Sequence, residues 1–142
     1  MTTLAEQLRD FLLADATVSG LVEERVHQAI IPDAARSVYP RIWFRRAAVD
    51  GELNLDGGAT LPQTTFDLEV LTDDIEQLDT LADAVRARLH GYPPTGTAGS
   101  WGTRQVLGVF CEDQSDDYIP FAINDDEGTH FAALSVVVCH GA

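Results

Sequence analysis

Between Thr65 and Gly91 the spacing of apolar residues changes from a period of two to steps of three and four. Phe66, Leu68 and Val70 alternate with Asp67 and Glu69, the pattern of a strand buried on one face. Directly after it, Ile75, Leu78, Leu81, Ala82, Val85 and Leu89 form one apolar stripe, which predicts an amphipathic helix. Asp73 or Asp74 is placed to cap its first turn, with Glu76 or Gln77 three residues on. Arg86, Arg88 and His90 lie near the negative end of the helix dipole, and Gly91 provides a left-handed exit.

The rest of the chain reads in the same terms. Thr3-x-x-Glu6 is a capping box opening a first helix with Leu4, Leu8, Phe11 and Leu12 on its inner stripe. After a break at Asp15–Thr17, residues Val18, Leu21 and Val22 continue the pattern as a turn and a short helical piece. Val26–Ile31 predicts a strand stopped by Pro32, and Ala34–Val38 a connection. Tyr39-Pro40 imposes an extended entry into a strand over Arg41–Val49, where Ile42 and Phe44 alternate with Trp43 and Arg45. Asp50–Pro62 predicts a long projecting hairpin with a tip at Asp56-Gly57-Gly58 and only Leu53, Leu55 and Leu61 as apolar anchors. Tyr92–Gly102 reads as a loop, Thr103–Glu112 as a strand, Asp113–Asp126 as an acidic connection and His130–Cys139 as the last strand. The expected architecture is one α+β domain over residues 1–142, a mostly antiparallel sheet of about five strands with two helices on one face.

Charge narrows the function. Nine basic against 23 acidic residues leave a formal charge of −14, which argues against a sequence-independent grip on nucleic acid. All nine cations are arginine. The N-terminus lacks the charged start and apolar run of a signal peptide, and no segment reaches membrane-spanning length, so a soluble chain made in the cytoplasm is expected. Cys111 and Cys139 fall in strand-like segments and read as buried free thiols.

Candidate chemistry is sparse. His27, His90, His130 and His140 show no metal-ligand spacing with each other or with the cysteines and read as isolated surface or edge residues. Cys139 and His140, adjacent on a strand, point to opposite faces. Ser100 lacks the glycine two residues before it that a nucleophile elbow needs, since Ala98 stands there. Asp113-x-Ser115-x-Asp117 begins like a calcium loop, but Tyr118 replaces the turn glycine and Asn124 the bidentate glutamate. The acidic pairs Asp73/Asp74, Glu112/Asp113, Asp116/Asp117 and Asp125/Asp126 read as solvated charge, and no phosphate-binding glycine pattern is present. No catalytic residue, cofactor or metal is therefore expected. Arg41, Arg45 and Arg46, interleaved with Trp43 and Phe44, form the one basic–aromatic cluster; single-strand nucleic-acid binding and a protein interface both use such residues, and the acidity favours the interface.

Taken together, "LRDFLLADATVSGLV", "EERV", "YPRIWFRR", "FDLEVLTDD", "LDTLADAVRARLHG", "RQVLGVFCEDQSDDY" and "FAALSVVV" give the chain a resemblance to the tail-completion (tail-terminator) family of tailed bacteriophages and prophages. The hairpin at Asp50–Pro62 is longer and more acidic than that family's pattern. The resemblance implies a virion protein that forms a ring, a hexamer in the virion, caps the finished tail tube and joins it to the head-side connector, with no catalytic residues. It implies as partners other copies of the chain, the tail-tube protein and the connector, but no membrane and no specific nucleic acid. The interface residues expected on this reading are Arg41, Trp43, Arg45 and Arg46 together with Leu53, Leu55, Asp56, Gly57 and Leu61 of the hairpin. Two other readings stand beside it, a different neck or adaptor protein of the same virion and a small α+β enzyme or ligand-binding domain. A deep pocket lined by two or more carboxylates or histidines would favour the last of these.

Overall fold

The computed structural model describes residues 3–28, 39–50, 62–119 and 129–141. Helix α1 (Leu4–Leu13) opens with the predicted capping box: the Thr3 hydroxyl accepts from the Glu6 N–H, and the Glu6 carboxylate accepts from the Thr3 N–H, each at 3.1 Å. Helix α2 (Ala16–Val22) is capped by Asp15, whose carboxylate accepts from the N–H groups of Thr17 and Val18. After strands β1 (Val26–Gln28), β2 (Arg41–Asp50) and β3 (Gln63–Thr72), helix α3 (Ile75–Leu89) starts at Asp74, which accepts from the Glu76 N–H. The chain leaves that helix through Gly91 at φ 82°, the conformation its glycine permits. Strands β4 (Gly99–Trp101), β5 (Arg104–Ile119) and β6 (Thr129–His140) follow.

These strands form a mixed sheet in the order β1-β2-β3-β6-β5-β4, antiparallel throughout except for the parallel β1–β2 pair. Period-two alternation builds its covered face. Phe44 lies opposite Leu68, Phe66 opposite Val136, Leu68 opposite Leu134 and Val70 opposite Ala132, all buried. The helices close over this face with Leu8, Leu12, Val18, Val22, Leu78, Leu81, Val85 and Leu89, giving one core. Phe44 and Phe66 meet edge to face, ring centres 5.9 Å apart. Ile75, assigned above to the inner stripe, is half exposed at the first turn of α3.

The structure corrects the expected count to three helices and six strands among the described residues. The sequence segment read as a loop before Thr103 contains β4, which pairs Gly99 with Val106 and Trp101 with Arg104. The acidic stretch read as a connection from Asp113 continues β5 as far as Ile119. Irregularities between Val106 and Gly108 and between Cys111 and Asp113 each shift the alternation by one residue. Hence Val106, Val109 and Cys111 face the core although their spacing is not strictly two. Beyond the second shift, Gln114 and Asp116 lie on the helix side, opposite Leu134 and Ala132, yet are exposed because the helices do not cover that end of β5. The end of the strand expected over Val26–Ile31, the connection at Ala34–Val38 and the hairpin between Asp50 and Pro62 lie outside the described residues.

Candidate interaction surfaces

The described helices all pack on one side, and no described helix covers the other face of the sheet. On it the register sets out two cross-strand rows. One runs Trp43, Glu69, Ala133, Ser115; the next runs Arg45, Asp67, Ser135, Asp113. The small side chains of Ala133 and Ser135 on the inner strand β6, flanked by larger ones, leave an open trough of about 320 Å³. Arg45 reaches Asp67 at 3.5 Å, both partly exposed. Arg41 lies on the same face but is only 7% exposed, its guanidinium 4.7 Å from the centre of the Tyr39 ring. Arg41, Trp43 and Arg45 are thus brought together, whereas Arg46 alternates onto the side of Ile42 and Phe44, where it is exposed. Leu53, Leu55, Asp56, Gly57 and Leu61 lie outside the described residues.

A second concavity, unforeseen from the sequence, lies between α1, the end of α3 and the β4–β5 turn. It is open, holds about 840 Å³ and is lined by Gln7, Asp10, Phe11, Arg88, Trp101 and Arg104, among others. Phe11 is its floor: Tyr92 meets it edge to face at 4.6 Å, Trp101 lies tilted at 5.0 Å, and the Arg88 guanidinium stacks over it at 3.8 Å. Arg88 Nε donates to the Phe11 carbonyl at 2.9 Å; Arg104 Nε donates to Gln7 Oε1 at 2.7 Å. Arg104 Nη1 also donates to the Gly141 carbonyl at 3.3 Å, so its guanidinium is tied at two nitrogens and that of Arg88 at one, and neither is paired with a carboxylate among the described residues. Trp101 is 3% exposed, and its indole N–H has no acceptor. Sequence reasoning placed Arg88 at a helix end and Trp101 in a loop; the one signal for their meeting was the aromatic character of Phe11, Tyr92 and Trp101.

The reactive groups are dispersed. Burial pushes the thiols of Cys111 and Cys139 up in pKa, against a smaller opposing effect of Arg86 at Cys111, so both stay protonated and both are free. His140, expected at a surface or edge, is buried: Nδ1–H donates to the Gly141 carbonyl, and Nε2 lies 2.8 Å from the Thr64 hydroxyl, a hydrogen bond. His90 Nδ1 accepts from the Cys111 N–H. The His27 ring is held below its ordinary pKa by burial and then by Arg9, Arg41 and Arg25. Ser100 lies on β4, bonded through its backbone to the Tyr92 hydroxyl. Among the described residues no three His, Cys, Asp or Glu side chains converge as a metal site. The lining of the larger concavity has, among the described residues, one carboxylate and no histidine; the trough has Asp67, Glu69 and Asp113, but on an open sheet face rather than in a deep pocket. No described helix is long and apolar enough to cross a membrane.

Residues 6–107 match the model of a family described as "Tail completion protein gp17". Among solved structures, a chain of the "Virion of native gene transfer agent (GTA) particle" superposes with a TM-score of 0.67 at 17% identity. The match covers 97% of this chain and 95% of that one, a likeness of fold. No curated protein matches the sequence.

Proposed function

The chain belongs to the tail completion protein gp17 family, and from that premise we propose that it is a structural virion protein that caps the finished tail tube and joins it to the head-side connector. The family match over residues 6–107 carries this reading. The fold shared with a chain of a gene transfer agent virion is consistent with it. The protein acts as a ring of identical copies, six in the virion, and needs no catalytic residue, cofactor or metal.

A ring requires two different, complementary surfaces on each copy, because each subunit meets its neighbour head to tail. The helix-free sheet face with Trp43 and Arg45, beside the buried Arg41, is one candidate surface. The exposed Arg46 and the hairpin residues Leu53, Leu55, Asp56, Gly57 and Leu61 extend the contact to a neighbour or to the tube. Six copies at −14 carry roughly −84 in total, and acids facing the lumen of such a ring repel DNA passing through it.

Electron microscopy of the purified protein mixed with tail tubes lacking their terminal protein tests the proposal. Rings seated on tube ends are expected. Tubes left bare while the protein binds isolated connectors would identify it as a neck or adaptor protein instead.

A further inference from the structure

We propose that the concavity over Phe11 is the receiving half of the contact between copies, and that it takes the acidic edge of β5 from a second copy of this chain; the inference rests on the ring reading above. Three observations carry it. Arg88 and Arg104 stand at the concavity, each with guanidinium N–H groups left over from its hydrogen bonds and no carboxylate partner among the described residues, in a chain with 23 acidic residues and nine arginines. The buried Trp101 indole N–H, also in the lining, lacks an acceptor, which burial alone makes costly. Among the described residues of the lining Asp10 is the one carboxylate, against the two arginines.

The occupant follows from charge and from the sheet. β4 pairs only with residues Arg104–Val106 of β5, and farther along β5 the described hydrogen bonds to that edge come from Gly91, Tyr92 and His90, reaching no farther than Cys111. From Glu112 to Asp116 the strand is bordered by β6 on one side alone among the described residues. It presents Glu112, Asp113 and Asp116 exposed, two residues beyond a half-exposed Phe110. Carboxylates with an aromatic neighbour suit two arginine forks beside an aromatic floor. The two halves lie on different parts of one chain, so the contact is head to tail and propagates.

A charge swap tests this, read by sedimentation velocity of the full chain. Arg88→Glu with Arg104→Glu is expected to weaken self-association about tenfold or more. Glu112→Arg with Asp116→Arg changes only exposed strand side chains, and is expected to weaken it equally while leaving the circular dichroism spectrum unchanged. An equimolar mixture of the two variants is expected to associate again, because each half then faces a charge of opposite sign. If the wild type assembles and either variant assembles equally well, or the mixture does not recover, this inference falls while the ring reading stands. If the wild type stays monomeric at every concentration, alone and on tail tubes, both fall.

Discussion

Reversing two charges on β2 separates a contact residue from a structural one. In the Arg45→Glu, Arg46→Glu variant, what is lost within the subunit is the Arg45–Asp67 pair, 3.5 Å long with side chains 61% and 43% exposed. Such an exposed pair contributes about 0–1 kcal/mol. Glutamate at position 45 then sits directly across the strands from Asp67, a like-charge pair costing a similar amount. Arg46 is exposed, and its reversal adds little. The total is about 1–2 kcal/mol at most, which for a chain of this size lowers the melting temperature by about 2–8 °C. The variant should therefore melt cooperatively, with an unchanged far-ultraviolet spectrum. Self-association by sedimentation velocity and capping of tail tubes by electron microscopy should both be clearly reduced. A melting temperature lowered by more than about 15 °C would show that these arginines hold the subunit together. Assembly and capping equal to the wild type would show that neither Arg45 nor Arg46 takes part in a contact between copies or with the tube.

Three further outcomes are expected. At Gly99 an added Cβ would lie 2.5 Å from the Val106 carbonyl oxygen and 2.9 Å from Pro93, so Gly99→Ala must displace β4 and should cost about 1–3 kcal/mol in urea unfolding; an unchanged midpoint would refute the close packing of β4 on this loop. Because the folded state holds the His27 pKa below 6.5, the unfolded chain binds the extra proton first. The stabilisation is complete above that pH and is lost as pH falls through 6.5 towards the folded value, so unfolding midpoints should drop between pH 7 and 5, and less steeply in His27→Gln. Replacing residues 53–61 by a short turn should cost little stability, since the β2–β3 ladder closes at Asp50 and Gln63 and loop length enters weakly, yet it should abolish tail capping. Virions that assemble normally would leave the hairpin without a role.

Elements whose signal is local were legible in the sequence. The Thr3–Glu6 capping box, the Asp74 cap, the α3 stripe from Leu78 to Leu89 and the alternation of β3 all depend on neighbours a few residues away. β4 was hidden because three residues in a Gly- and Pro-rich stretch carry no period, and its existence depends on β5. The acidic end of β5 was read as connection because an apolar alternation is needed only where a face is covered, and there the helices stop short. Charged residues along a free edge are compatible with a strand. Of the candidate site, the shared face of Trp43 and Arg45 followed from period two. The concavity did not, because Gln7 and Arg104 are joined across 97 residues by one hydrogen bond that no local pattern encodes.

The sheet order has a consequence for how the protein comes into being. β6, the last described strand, lies between β3 and β5, and its residues pair along nearly their whole length with both. Until Thr129–His140 has left the ribosome, β3 and β5 have no common neighbour, and the two sides of the sheet remain apart. The β3–β6 pairing, between segments far apart along the chain, forms slowly. The two halves of the described sheet are thus joined only when β6 arrives, so a copy that presents the rows from Trp43 and Arg45 across to β5 is one whose synthesis has passed β6.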